Sequence, residues 1–113
     1  MVELASKIPE IVSRLRLLDP VKIYLFGSLA ADGKENVNDI DIAVVVDVDS
    51  EPESFEERIE LQIAVRQAIY ELSEEVPIDI VVYTRQEFDK LHKQNRPFIR
   101  EILSGQLLYE KAG

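Results

Sequence analysis

Residues 39–47 read Asp-Ile-Asp-Ile-Ala-Val-Val-Val-Asp. Within them Ala43 to Val46 is apolar without alternation, the pattern of a strand covered on both faces, lying centrally between other layers. Val21 to Phe26 is a second short, partly β-branched run that ends at Gly27-Ser28. Pro77 opens a third, Ile78 to Tyr83, and Leu107 to Tyr109 fits a short terminal strand.

Helical patterns separate these strands. Leu4, Ile8, Ile11, Leu15 and Leu18 recur at steps of three and four, which predicts a helix over Ser6 to Leu18 with one apolar stripe, stopped by Asp19-Pro20. Ser54 with Glu57 has the form of a capping box and predicts a helix from Phe55 to about Glu74. Two apolar lines run along it, Phe55, Ile59 and Ile63 on one and Leu61, Val65, Ala68 and Leu72 on the next, and most of that broad face is expected to be covered by the rest of the fold. Thr84 with Glu87 repeats the capping pattern for a helix through about His92, and a last helix carries Phe98, Ile99, Ile102 and Leu103 before Gly105. Ala30 to Asn38 reads as a short helical turn and then a loop, from Gly33, Asn36 and Asn38. The order predicts an α/β (α+β) fold, a small mixed β-sheet packed with helices, in one domain spanning residues 1–113.

Charge narrows the function. Thirteen Lys and Arg against 22 Asp and Glu give a net charge of −9, the wrong sign for gathering a polyanion, so broad nucleic-acid binding is disfavoured. Without cysteine there is no disulfide framework, no thiolate metal site and no thiol nucleophile, so a bound metal must be held mainly by oxygen. The apolar runs are strand-sized, far short of the roughly 20 residues that span a bilayer, and the amino terminus has no signal pattern. A cytoplasmic protein with no membrane segment is expected.

Asp39 and Asp41 are two apart on a predicted strand, so their carboxylates share a side. Either that strand end is in water or a cation lies between them. Asp79 lies near the start of the third strand, between Ile78 and Ile80, and if the two strands pair it joins the first two. Three such oxygen donors suit Mg²⁺, and two ions about 3.5 to 4 Å apart would stabilise the attacking and leaving oxygens of an in-line phosphoryl displacement. Gly27-Ser28 stands where a strand hands over to a helical turn. There a glycine lets backbone approach a ligand, free amides attract anions and a serine hydroxyl can donate to a phosphate oxygen.

The segment LFGSLAADGKENVNDIDIAVVVD, residues 25–47, resembles the signature of the minimal nucleotidyltransferases of the DNA polymerase β superfamily: Gly-Ser, ten intervening residues, then Asp-x-Asp on a strand. PIDIVVY, residues 77–83, resembles the strand that supplies the third carboxylate, and GQLLYE, residues 105–110, resembles the closing strand. The resemblance implies a palm-like nucleotidyltransferase fold, Mg²⁺ dependence with two ions, and transfer of a nucleoside monophosphate to an acceptor hydroxyl with release of pyrophosphate. Gly27 and Ser28 would hold the nucleotide, Asp39 and Asp41 would bind the metals, and Asp79 would complete the catalytic metal site and help activate the hydroxyl. One departure stands out: Leu29, Ala31 and Asp32 occupy places where relatives often carry arginines and a glycine, with Lys34 a candidate substitute. Asn38 stands where a serine is often found before the first aspartate.

Such small proteins are typically paired, as the resemblance implies, with an all-helical partner of the HEPN class that often acts as an RNase toxin. The nucleotidyltransferase serves as antitoxin by moving AMP from ATP to a tyrosine of that partner. With 113 residues there is no separate acceptor-binding domain, so the acceptor's seat is expected from a second protein or a second copy, and a homo-oligomer stays open. Alternatives are a non-catalytic binding module that neutralises its partner by contact, and an enzyme acting on a small-molecule hydroxyl such as an aminoglycoside. His92 is expected at the surface, Tyr24, Tyr70, Tyr83 and Tyr109 in core positions, and Arg85, Lys90, Lys93, Arg96 and Arg100 on solvated helix faces. The seven acidic residues of positions 47–60 are expected in a solvated connection.

Overall fold

The apolar run of residues 43–46 does form an interior strand. In the computed structural model, which describes residues 4–32 and 39–112, β2 (Ile40–Val46) lies between β1 (Lys22–Phe26) and β3 (Ile78–Thr84), with β4 (Gln106–Glu110) beyond β1. β1 pairs antiparallel with both β2 and β4, while β2 and β3 are parallel, so the sheet is mixed. The side chains of Ser28, Ala31 and Asp32, and the whole of Gly33, Lys34, Asn36 and Asn38, lie outside the described residues.

Period-two alternation divides the sheet's side chains between two layers. On one face Ile23, Leu25, Ile40, Ile42, Val44, Ile80 and Val82 pack on Ile11 and Leu15 of α1 (Ile8–Leu15), and on Val65, Ile69 and Leu72. On the other, Tyr24, Phe26, Ala43 and Val45 pack on Phe88, Ile99 and Ile102 of two later helices. The continuous apolar run is therefore explained by two cores meeting at one strand.

α1 is flanked by 3-10 turns, Leu4–Lys7 and Arg16–Leu18, and Asp19 ends the segment in the left-handed region at φ 54°. Leu18, expected in the buried stripe, is 39% exposed because the tighter 3-10 turn rotates it off the helical face. After β1 comes α2 (Gly27–Asp32). The expected helix from Phe55 to Glu74 is two helices, α3 (Phe55–Ala68) and α4 (Tyr70–Glu75), parted at Ile69, whose backbone leaves helical space at φ −119°, ψ 16°. Ile69 and Leu72 both remain buried in the core across that break.

Ser54 caps α3 by accepting from the Glu57 N–H at 3.1 Å, and the Glu57 carboxylate accepts from the Glu53 N–H rather than closing the box at residue 54. At α5 (Arg85–Lys93) the box is complete: Thr84 Oγ1 accepts from the Glu87 N–H at 3.1 Å and the Glu87 carboxylate accepts from the Thr84 N–H at 3.4 Å. α6 (Pro97–Leu103) crosses the same face and is followed by Gly105. A Cβ at Gly105 would run into the Leu25 carbonyl and lie 3.0 Å from Phe26 Cα, so only glycine lets the end of α6 close onto β1.

Two surface expectations change. The acidic connection is partly tied down, because Arg85 pairs with Asp47 at 2.9 Å and with Asp49, and Lys90 pairs with Glu51 at 3.2 Å. Arg85 and Lys90 are thus fixed to that loop rather than free on a helix face. The Phe55, Ile59 and Ile63 line of α3 is exposed, at 78%, 40% and 48%, as is Tyr70, which was expected in the core. Helix α3 lies on the sheet through its neighbouring line of Leu61, Val65 and Ala68, and a helix resting on one flat layer buries only the stripe that faces it. Among the described residues no helix is long and apolar enough to cross a membrane.

Candidate active site

Parallel pairing of β2 with β3 places Asp41 beside Asp79, and Asp39 immediately precedes β2 on the same side. The three carboxylates converge, each offering one oxygen within 4.8 Å of the other two. The side chains lie on the sheet face that also carries α5 and α6, at the end of β3 away from Thr84. Asp39 and Asp41 are half-buried, while Asp79 is exposed.

Convergence is electrostatically costly, since like charges at this spacing oppose one another's ionisation. A hydrogen bond shared with Asp79, then burial and the Asp79 charge, hold the Asp39 carboxyl above its usual range. Burial, followed by the charges of Asp39, Asp79 and Glu101, pushes Asp41 up to about 6. A hard divalent cation would offset the repulsion among the three carboxylates, and an all-oxygen donor set is the chemistry such an ion takes. The residues fit a metal site by donor type, by separation and by the strain a cation would remove.

On the other side of β2, antiparallel pairing sets Phe26 opposite Asp41, and the chain turns into α2 at the next residue. Gly27 has φ 76°, and a Cβ there would fall on the Asp41 carboxylate, 3.1 Å from its Cγ. The glycine is required twice, by its backbone angle and by the approach of the carboxylate. The backbone that opens α2 is thereby held against the acidic cluster, where the amides of a first helical turn have no intrahelical partners and attract anions. The hydroxyl of Ser28 lies outside the described residues.

The structure therefore brings together Asp39, Asp41, Asp79 and the Gly27 turn on three adjacent strands. It adds two residues from α6 that the sequence did not single out. Glu101 lies near enough for its charge to act on Asp41, and Phe98 packs edge-on against Phe26 with ring centroids 5.5 Å apart. Their spacing of three on a helix puts them on one side, but nothing in sequence says where that helix crosses the sheet. His92 is exposed, as expected. An open cleft of about 690 Å³ lies at the opposite end of β3, between Asp49 and Glu51 on one side and Arg85, Lys90 and Lys93 on the other. Its charges are largely paired with one another and none of the three converging aspartates lines it.

A protein-family model described as "Polymerase beta, Nucleotidyltransferase" matches residues 6–112. No curated protein gives a significant match to the chain.

Proposed function

Since the chain belongs to the polymerase β nucleotidyltransferase family, we propose that it moves AMP from ATP to a hydroxyl, a tyrosine of an all-helical HEPN-type partner, and so acts as that partner's antitoxin. The observation that carries this reading is the convergence of Asp39, Asp41 and Asp79 within 4.8 Å, beside a glycine turn that can receive phosphates.

Asp39 and Asp41 would hold Mg²⁺, with Asp79 completing the site for a second ion. The ions, when bound, neutralise triphosphate charge and align the attacking and leaving oxygens for in-line displacement. The chain's own residues do the rest. Backbone amides after Gly27 hold the phosphates, and Ser28 donates to one of their oxygens. Asp79, the most exposed of the three carboxylates, faces the acceptor and draws the hydroxyl proton. The acceptor oxygen bonds to the α-phosphorus, the bond from that phosphorus to the bridging oxygen breaks, and pyrophosphate departs with the electron pair.

A partner is supported by the uncovered line of Phe55, Ile59, Ile63 and Tyr70. Glu56, Glu60, Glu71 and Glu74 border it by helical position, outnumbering Arg66 between Ile63 and Tyr70, and all five are exposed. An apolar strip with an acidic margin complements a helical surface whose apolar ridge is edged by lysine and arginine, and it disfavours a second copy of a chain with net charge −9. The reading is tested by incubating the protein with its co-purifying partner, ATP and Mg²⁺ and measuring intact mass. A gain of one AMP on a partner tyrosine is expected; an unmodified partner in a tight complex would replace transfer by neutralisation through contact.

A further inference from the structure

We propose that the exposed face of Phe98 is the stacking platform for the nucleobase of the bound triphosphate. The proposal rests on the nucleotidyltransferase reading of the aspartate cluster and adds to it the place where the base lies.

Three aligned positions define the site across the sheet: Asp79 on β3, Asp41 on β2 and Phe26 on β1. Cross-strand partners point to the same side, so the Phe26 ring rises beside the Asp41 carboxylate, one strand spacing away, roughly 4.8 Å. Phe26 is buried at 6% exposure in the cluster with Ile99 and Ile102, and Phe98 packs on it edge-on at 5.5 Å and 89°. Phe98 itself is 42% exposed. On the same helix Ile99 and Ile102 take the core, at 2% and 0%, so the ring of Phe98 is not needed to fill it. Instead it stands at the rim of the site, on the helix side that also carries Glu101.

The position suits one end of a nucleotide. Phosphates received at the Gly27 turn would begin one residue after Phe26, and the ring packed on Phe26 offers an exposed apolar surface on this side of the sheet. Edge-on contact with Phe26 holds the Phe98 ring while 42% of the residue stays exposed, as a stacking base requires. An aromatic platform is tolerant of base identity because every base has a π-face, so this contact predicts affinity for the nucleoside with little discrimination between adenine and guanine.

The chain has no tryptophan, so Phe98→Trp introduces a single reporter at the rim. Mg²⁺ with ATP is expected to quench its emission, whereas Mg²⁺ with inorganic tripolyphosphate, which has the charge but no base, is expected to bind without quenching. In calorimetric titrations Phe98→Leu, which keeps an apolar cover on Phe26 but has no ring, is expected to weaken ATP by about tenfold and leave tripolyphosphate unchanged. Circular dichroism and thermal unfolding of Phe98→Leu establish that the fold is kept. Equal affinity of Phe98→Leu and the parent for ATP, or equal quenching by ATP and tripolyphosphate, overturns the platform and leaves the aspartate site standing. If neither ligand binds in the presence of Mg²⁺, the platform and the nucleotide reading fall together.

Discussion

The Cβ that Gly27 lacks would fall on the carboxylate of Asp41. The turn that opens α2 and the acidic cluster on β2 are therefore one piece of structure, with backbone and carboxylate in contact across neighbouring strands. Gly27→Ala would impose a side chain where φ is 76° and push the Asp41 carboxyl off its neighbours. We expect a loss of about 1–3 kcal/mol in stability and a larger proportional loss of Mg²⁺ and ATP affinity. Thermal unfolding with and without Mg²⁺ checks both; a variant with unchanged melting temperature and unchanged metal response would show that the contact is slack.

The acidic cluster also gives the metal-free protein a pH signature. A carboxyl pushed up to about 6 in the folded chain, from an ordinary 3.8, binds its proton more tightly there than in the unfolded chain. Stability therefore falls as pH rises through this window and the full penalty is present above about pH 6. Asp41→Asn should stabilise the metal-free protein above that pH, by about 1 kcal/mol once solvent screening is allowed for. Mg²⁺ should raise the melting temperature of the parent more at about pH 8 than at about pH 5, since protons and the ion compete for the same oxygens. A melting temperature independent of pH between those values would contradict it.

Thr84 closes β3 and opens α5 at 2% exposure, and its cap partner Glu87 also pairs with Arg58, which donates to the Val82 carbonyl at 3.3 Å. Removing the hydroxyl in Thr84→Ala leaves the Glu87 N–H without its cap partner in a partly buried place. A cost of about 1–2 kcal/mol in chemical denaturation is expected, with Mg²⁺ binding unaffected because the cluster lies at the other end of β3.

Phe55 and Ile63, exposed at 78% and 48%, are expected to matter for assembly more than for folding. The double change Phe55→Ser and Ile63→Ser should alter stability by no more than about 1 kcal/mol and release the partner in size-exclusion chromatography. A complex that persists would move the interface elsewhere.

Much of this was legible in the residues themselves. Asp39 and Asp41 share a side because strand side chains alternate, and the unbroken apolar run after them marks an inner strand before any neighbour is known. The meeting of Asp41 with Asp79 needed more, because it depends on the two strands being parallel neighbours in register, and no local pattern sets register. The same limit hid Phe98 and Glu101. Their approach to the cluster is fixed by where α6 lands on β1, which follows from the fit of Gly105 against Leu25 and Phe26, residues about 80 positions earlier in the chain. On α3, two adjacent apolar lines were visible, and only packing decided that Val65 faces the sheet while Phe55 faces solvent.

The most direct test of the central claim is transfer of labelled AMP from ATP to the co-purifying partner by the parent protein, by Asp41→Asn and by Asp79→Asn, each shown to be folded. Both changes remove one charge from the cluster that would hold the metal. We expect transfer by the parent that depends on Mg²⁺, and a loss of at least about 100-fold in each variant. Transfer that continues undiminished in either variant would contradict a mechanism built on the three converging aspartates.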